Sequence, residues 1–447
     1  MDGQKLVILG GGESGVGAAL LGKAKGFDVF LSDRGGLKDK YRDELRQHSI
    51  DFEEGSHTED RILQANLVVK SPGIPDTIPL IQALKAREIP VISEIEFAAR
   101  YTTAKLIGIT GSNGKTTTTL LIYHLLKTAG FKVGLAGNIG DSFAKAVIND
   151  TFDWFVLEIS SFQLDTMYDT RLNIAVLLNI TPDHLDRYGY SFQNYVASKF
   201  RILQNMQPGD DFIYFQESPA IVAKLANRSL APNALPISLE QPVSPGGFFL
   251  NGELTAQNGE DCFTLPITDL PLKGPHNAIN MLAAVLAAQS VGVSSEHIAE
   301  GLRTFQNAAH RLEPAGVVDG IAFINDSKAT NVDSVFYALA SMTTPTVWIA
   351  GGQDKGNEYS QLDELVGKKV KALICLGKDN ATLVSHFSGM VPLIFETQSV
   401  TEAVQKGLNW ATPGETVLLS PACASFDLFR NYEDRGEQFK DAIKNLK

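Results

Sequence analysis

Hydrophobic and polar positions alternate along this chain in two rhythms. Short, nearly unbroken apolar runs are separated by longer stretches in which apolar residues recur every three or four positions. The runs are Leu6–Leu9, Asp28–Ser32 and Leu67–Lys70, then Leu106–Ile109, Trp154–Leu157, Ile174–Leu178 and Phe212–Phe215. A last group comprises Ala322–Asn325, Thr346–Ala350, Ala372–Leu376, Leu393–Phe395 and Thr416–Leu419. Runs of this kind predict strands buried on both faces, and the intervening stretches predict helices. Such alternation predicts an α/β chain of mostly parallel, doubly wound sheets. Between about Glu217 and Lys273 the rhythm changes to proline-rich, short β-like runs, which predict a small side sheet. A helix opens at Pro275-His276-Asn277 and a second lies near Ser295–Thr304. Proline in the first turn and an apolar stripe support the former.

A length of 447 residues suits about three domains. The expected division is 1–94, 95–307 and 308–447: an N-terminal Rossmann-like domain, a central phosphate-loop domain carrying the side sheet, and a C-terminal Rossmann-like domain. Hydrophobic residues at 44% and charged residues at 20% describe an ordinary globular protein. A net charge of −12 without a basic stripe argues against nucleic-acid or membrane-surface partners. Cys262, Cys375 and Cys423 lack CxxC spacing and are expected to be reduced thiols. The richest apolar run, Met281–Val293, is too short for a membrane span, and the first strand follows a charged residue directly. A cytoplasmic location without membrane insertion is expected.

Chemistry concentrates first at GITGSNGKTTTT. Gly111-Ser112-Asn113-Gly114-Lys115-Thr116-Thr117 lie between a strand and a helical stretch, Thr118–Ala129. Small residues let backbone N–H groups converge on an anion at a helix N-terminus, Lys115 can reach terminal phosphates, and Thr116 can hold Mg²⁺. Ile109 stands where the strict pattern has its first glycine. The layout nevertheless predicts nucleoside-triphosphate binding.

The N-terminal strand leads into Gly10-Gly11-Gly12-Glu13-Ser14-Gly15, and the second run ends at Asp33. A glycine turn followed by an acid at this distance suits a dinucleotide, and equally a nucleotide sugar whose pyrophosphate lies on the helix N-terminus. Ser71-Pro72-Gly73 follows the third run, at the sheet edge where ligands bind.

Glu158 ends an apolar run beside the phosphate loop, as a metal-holding acid or as a cap of the next turn. Thr181-Pro182-Asp183-His184-Leu185-Asp186 emerges at the same edge; a lone histidine there is either a ligand or a structural residue. Lys199 reads as a surface lysine, Arg311 as a solvated charge, and Asn277 and Asn280 as residues of a helix start. Asp326-Ser327-Lys328 follows a strand, and Lys328 with Lys355 would make a cationic mouth suited to a small acidic substrate. No Ser–His–Asp, CxxC or HExxH constellation is present.

Together GITGSNGKTTTT, LEISSFQLD, NITPDHLDRY, ASKFRIL, PHNAINMLAA, NDSKATN and SPACASFDLFRNYEDRGEQF resemble the Mur ligase family over essentially the whole chain, most closely its D-glutamate-adding branch. The resemblance implies an ATP-dependent amide ligase of peptidoglycan precursor synthesis acting on UDP-N-acetylmuramoyl-L-alanine and D-glutamate. An acyl phosphate and a tetrahedral intermediate would lie on its path.

By resemblance Lys115 holds the β/γ-phosphates, Thr116 and Glu158 bind one Mg²⁺, and His184 with a carbamylated Lys199 binds a second. Gly111, Ser112, Asn113, Gly114, Thr117, Asn277, Arg311 and Asp326 match ATP contacts. Ser14, Asp33, Arg34, Ser71, Gly73, Asn138, Ser160 and Gln163 match UDP-sugar contacts. Lys328, Thr330, Lys355, Ser425, Phe426 and Tyr432 match the amino-acid pocket, Phe426 and Tyr432 standing where relatives often carry Leu and Phe. The resemblance further implies a monomer whose third domain swings onto the second. Alternatives are a sister ligase for another amino acid, an NAD-dependent oxidoreductase resting on Gly10–Gly15 and Asp33, and a nucleotide-gated binding protein without turnover.

Overall fold

The computed structural model describes residues 3–446 apart from Asn227 and Lys355. By packing, the chain divides into two compact units: the chain up to Pro271 with Ala278–Phe305, and Leu272–Asn277 with the chain from Gln306 onward.

The first unit contains two sheets. Strands β1 (Lys5–Leu9), β2 (Asp28–Asp33), β3 (Asp51–Glu54), β4 (Leu67–Lys70) and β5 (Val91–Ile92) form a parallel sheet in the order β3-β2-β1-β4-β5. The strand order reverses between β1 and β4, which opens a crevice at their carboxyl ends. There Gly10 has φ 99°, and a side chain on it would collide with Ser71 Oγ. Strand β3, sequence DFEE, lies at the sheet edge; with only Phe52 apolar it carries no run that periodicity would register.

The second sheet comprises β6 (Lys105–Thr110), β7 (Val133–Gly137), β8 (Trp154–Glu158), β9 (Ile174–Leu177), β10 (Asp211–Phe215), β11 (Asn233–Ser238), β12 (Gly246–Leu250), β13 (Glu253–Asn258) and β14 (Asp261–Pro266). Its order is β14-β13-β12-β11-β10-β9-β6-β8-β7. The short strands expected between 217 and 273 are present, and they are hydrogen-bonded to the edge of the central sheet. Strand β11 pairs with β10 along its length, two residue pairs join β11 to β12, and β12–β14 form an antiparallel meander. Strand β7, sequence VGLAG, escapes the apolar-run reading because glycine breaks it.

The two sheets share one core, in which Leu6, Ile8 and Leu31 belong to the same cluster as Phe143, Phe155 and Leu177. Helix Glu13–Ala24 packs on helix Phe143–Val147 so closely that a side chain on Gly17 would overlap Ser142 Oγ. Ser142 Oγ in turn donates to Glu94 Oε1 at 2.7 Å, and the Ala144 N–H donates to the same oxygen at 2.7 Å.

The second unit contains β15 (Glu313–Val318), β16 (Ile321–Asn325), β17 (Thr346–Ala350), β18 (Val370–Leu376), β19 (Ile394–Thr397) and β20 (Thr416–Leu419), in the order β15-β16-β20-β17-β18-β19. All neighbours are parallel except β15, which runs antiparallel on β16. Along β17, Val347 and Ile349 enter one apolar cluster while Trp348 and Ala350 enter the other. Burial on both faces is why these strands read as unbroken apolar runs. Among the described residues, no helix is long and apolar enough to cross a membrane.

Candidate active site

The phosphate loop leaves β6 at Thr110 and enters helix Lys115–Thr128, whose N-cap is Gly114 at φ 85°. The helix begins three residues before the predicted Thr118 because Thr116–Thr119 are buried, so tertiary packing overrides their weak helix propensity. The loop is tied to the segment after β9. Asn179 Oδ1 accepts from Asn113 N at 2.8 Å and Asn179 Nδ2 donates to Asn113 O at 3.1 Å. Ser112 Oγ donates to Thr181 O at 2.9 Å and accepts Thr181 N–H at 3.0 Å.

A Cβ at Gly114 would lie 2.5 Å from Asn280 Oδ1, the oxygen that accepts from Thr118 Oγ1 at 3.1 Å. Left-handed backbone costs a non-glycine residue about 1–2 kcal/mol. Gly114→Ala is therefore expected to weaken ATP binding about tenfold or more by titration calorimetry. An unchanged Kd would contradict this account of the turn.

Two lysines meet on this loop. Lys115 Nζ donates to the carbonyls of Gly111 at 2.7 Å and Ser112 at 2.8 Å. Lys199 Nζ, from helix Phe192–Phe200, donates to the same Gly111 carbonyl at 2.8 Å. Lys199 is only 1% exposed, so it is not the surface lysine its sequence suggests. Burial holds its ammonium well below the usual lysine range and the Lys115 charge adds to this, while Asp183, Asp165 and Glu158 pull the other way. Glu158 ends β8 in the interior; its Oε1 accepts from Asn138 Nδ2 at 2.8 Å, and its Oε2 is buried with no hydrogen-bond partner among the described residues. Lys115, Lys199, Glu158 and Asp183 thus share one locality.

His184 has φ 51°, lies with Nε2 3.6 Å from Asp183 Oδ2, and sets its ring edge-to-face on Phe162 at 5.3 Å. Arg187 covers the Phe162 ring at 4.4 Å and donates to Pro72 O at 3.2 Å and Gly73 O at 3.5 Å, which fastens this loop to the Ser71–Gly73 turn. Ser160 and Gln163 form a capping box: Gln163 Oε1 accepts from Ser160 N and Oγ, both at 2.9 Å. Asp33 braces the first glycine turn, accepting from Gly11 N at 2.5 Å and Gly35 N at 2.6 Å. Ser14 is half-buried beside that turn, and Arg34, Gly73 and Asn138 are exposed. Among the described residues no cluster of three or more His, Cys, Asp or Glu side chains forms a metal cage.

In the second unit Asp326, the residue after β16, is buried; its Oδ2 accepts from Ser420 Oγ at 2.8 Å and its Oδ1 from Leu312 N at 3.2 Å. Burial pushes its carboxyl up to about 7, against the Ser420 hydrogen bond and the positive charge of Arg311. Arg311 Nε is buried with no hydrogen-bond partner among the described residues. Asn277 Nδ2 donates to Lys273 O at 2.8 Å, a helix-start contact. Lys328 Nζ lies 5.3 Å from the centroid of the Tyr432 ring. Ser425 is buried, Thr330 exposed, and Phe426 is 68% exposed. Lys355 lies outside the described residues.

Sequence reasoning passed over Asn179 and Arg435. Asn179 directly follows an apolar run opposite the phosphate loop, a signal available in principle. Arg435 sits in a polar helix start, and nothing in its neighbourhood separates it from a solvated arginine.

Comparison with known proteins fits this architecture. The MurD N-terminal domain matches residues 5–78, the Mur ligase middle domain 109–288, and the Mur ligase glutamate ligase domain 310–423. A protein of Christiangramia forsetii named UDP-N-acetylmuramoylalanine--D-glutamate ligase is 51% identical over 444 residues, covering 99% of this chain and 100% of its own. One of the same name from Cytophaga hutchinsonii is 52% identical over 448 residues, covering 99% of each. Among solved structures, a pseudomurein peptide ligase type C from Methanothermus fervidus superposes with a TM-score of 0.64 at 20% identity, over 99% of this chain and 100% of that one. The UDP-N-acetylmuramate-alanine ligase MurC of Thermotoga maritima gives 0.63 at 18%, over 99% and 100%. At these identities the structural likeness speaks for the fold alone. Full-length identity at this level, with domain matches in all three regions, places the chain in the Mur ligase family.

Proposed function

We propose that this chain is the ATP-dependent ligase that joins D-glutamate to UDP-N-acetylmuramoyl-L-alanine in peptidoglycan precursor synthesis. The observation that carries the reading is its half-identity, end to end, with proteins bearing that name. The functional division is 1–94 for the UDP-sugar, 95–307 for ATP and 308–447 for the amino acid.

In the first step an oxygen of the alanyl carboxylate bonds to the γ-phosphorus, the β–γ bridge breaks, and ADP leaves with the bridging electrons. In the second, the D-glutamate amine attacks the acyl carbon and gives up a proton, and phosphate departs with the electrons of the C–O bond. Both steps gather negative charge, so preorganised cations and N–H donors supply most of the stabilisation. Lys115 moves from its carbonyl contacts to the β/γ-phosphates, and the N–H groups of Gly111–Thr117 line their cradle. Asn277, Arg311 and Asp326 contribute further nucleotide contacts.

Glu158 offers a buried oxygen without a hydrogen-bond partner among the described residues, and Mg²⁺ needs only one or two such protein ligands when phosphates complete its shell. Bound with the nucleotide, the ion would neutralise phosphate charge. Lys199 as its carbamate, with His184, would hold a second ion; its low-pKa amine supplies the neutral form that adds CO₂. Ser14, Asp33, Arg34, Ser71, Gly73, Asn138, Ser160 and Gln163 serve the UDP-sugar side. Lys328, Thr330, Lys355, Ser425, Phe426 and Tyr432 serve D-glutamate. The protein acts as a cytoplasmic monomer.

The test is phosphate release from ATP with UDP-N-acetylmuramoyl-L-alanine, comparing D-glutamate with L-glutamate, L-alanine and diaminopimelate. D-glutamate-dependent release with a new amide by mass is expected. Release with another amino acid would reassign the chain to a sister activity, and none with any of them would sink the enzyme reading.

A further inference from the structure

We propose that Arg435 is a positioning residue for the amino-acid substrate: one buried guanidinium clamps together the three strand-end loops that carry the pocket. This rests on the D-glutamate reading above. Arg435 is 1% exposed, and each of its nitrogens is engaged. Nε donates to Ser327 Oγ at 3.0 Å and Nη2 to Ser327 O at 2.8 Å. Nη1 donates to Gly351 O at 3.3 Å, and Cys423 O accepts from both Nη1 and Nη2 at 3.2 Å. Ser327 follows β16, Gly351 follows β17 and Cys423 follows β20, which are neighbours in the sheet.

Each clamped residue stands just ahead of expected substrate contacts. Lys328 and Thr330 follow Ser327, Lys355 follows Gly351, and Ser425 and Phe426 follow Cys423. Tyr432 lies three residues before Arg435 on the chain, and its carbonyl accepts from Ser327 Oγ at 2.8 Å. The loops are packed without slack: a Cβ on Gly352 would fall 3.2 Å from Arg435 Nη1.

All the acceptors of this cation are carbonyls and a hydroxyl, with no carboxylate among them. A buried charge is costly unless its hydrogen bonds are filled, and an apolar side chain could fill the same space more cheaply. The carboxylates of Asp427 and Asp326 act on the guanidinium through space without bonding to it, so its fork is given wholly to holding the three loops. Burial lowers its pKa only to about 10, so the charge persists at neutral pH.

The discriminating variant is Arg435→Lys, which keeps the charge and loses the fork that spans three loops. With wild-type turnover of D-glutamate established first, the variant is expected to fold, to raise KM for D-glutamate about tenfold, and to leave KM for ATP and the UDP-sugar within about twofold. Equal shifts in all three constants, or none, would overturn the proposal. Should Arg435→Lys fail to fold, Arg435→Ala is assayed with added guanidinium. Recovery of the D-glutamate KM by guanidinium but not by ammonium supports the clamp, and no selective recovery overturns it. If the wild type itself does not use D-glutamate, it is the functional reading that falls.

Discussion

Replacing Lys199 with methionine is expected to lower kcat about a thousandfold, the scale of removing a preorganised electrostatic group from a closed site. Methionine is unbranched, one atom shorter than lysine and suited to burial, so the fold and the nucleotide Kd are expected to hold. What disappears is an amine buried to 1% exposure between Lys115 on one side and Asp183, Asp165 and Glu158 on the other. As an ammonium, Lys199 would stand beside the Lys115 ammonium on the Gly111 carbonyl and would oppose any metal at Glu158. As a carbamate it carries a negative charge and two oxygens into the same space. Wild-type enzyme exposed to ¹³C-labelled bicarbonate should show a carbamate carbon resonance that Lys199→Met lacks. Turnover in the variant within tenfold of wild type would remove Lys199 from the reaction. Full loss without a carbamate signal would leave it acting as a plain amine.

The largest effect on stability is expected at Glu94. Its carboxyl is buried between the first two sheets; Oε1 takes two hydrogen bonds and Oε2 has no partner among the described residues. Burial raises its pKa from 4.5 to about 7, with the charge of Glu13 adding to the effect. The folded state thus holds this proton more tightly than the unfolded chain. Stability from this group is whole below about pH 4.5, falls as pH rises, and stops falling above about pH 7. The accumulated loss is about 3 kcal/mol. Glu94→Gln keeps the accepting oxygen and has no proton to lose. Its free energy of urea unfolding should exceed wild type by only about 1 kcal/mol near pH 5 and by about 3 kcal/mol near pH 8.5. An equal gain at both values would place the effect in packing rather than ionisation.

The elements that the sequence displayed most plainly are those buried on both faces. Thr346–Ala350 and Thr416–Leu419 begin and end as the apolar runs predict. The strands that escaped notice each lack such a run: Asp51–Glu54 is an edge strand, Val91–Ile92 is only two residues long, Val133–Gly137 contains two glycines, and Glu313–Val318 begins with Glu-Pro. Lys115 was legible because a phosphate loop is local in sequence. Lys199 was legible only through family resemblance, since its significance comes from a carbonyl 88 positions away. Arg435 was visible only as one residue of the C-terminal motif, because its partners lie 108, 84 and 12 positions away along the chain.

The tight passage of Gly17 against Ser142 sets a reach as well as a contact. It sets the helix after the first glycine turn directly against the cap of the helix after β7, joining the sheet that holds the Gly10–Ser71 crevice to the sheet that holds the phosphate loop. On the proposed assignment of the UDP-sugar to that crevice, a larger side chain at position 17 would shift the crevice relative to the phosphate loop. Hydrogen at position 17 is what lets the two helices, and with them the two sheets, approach this closely.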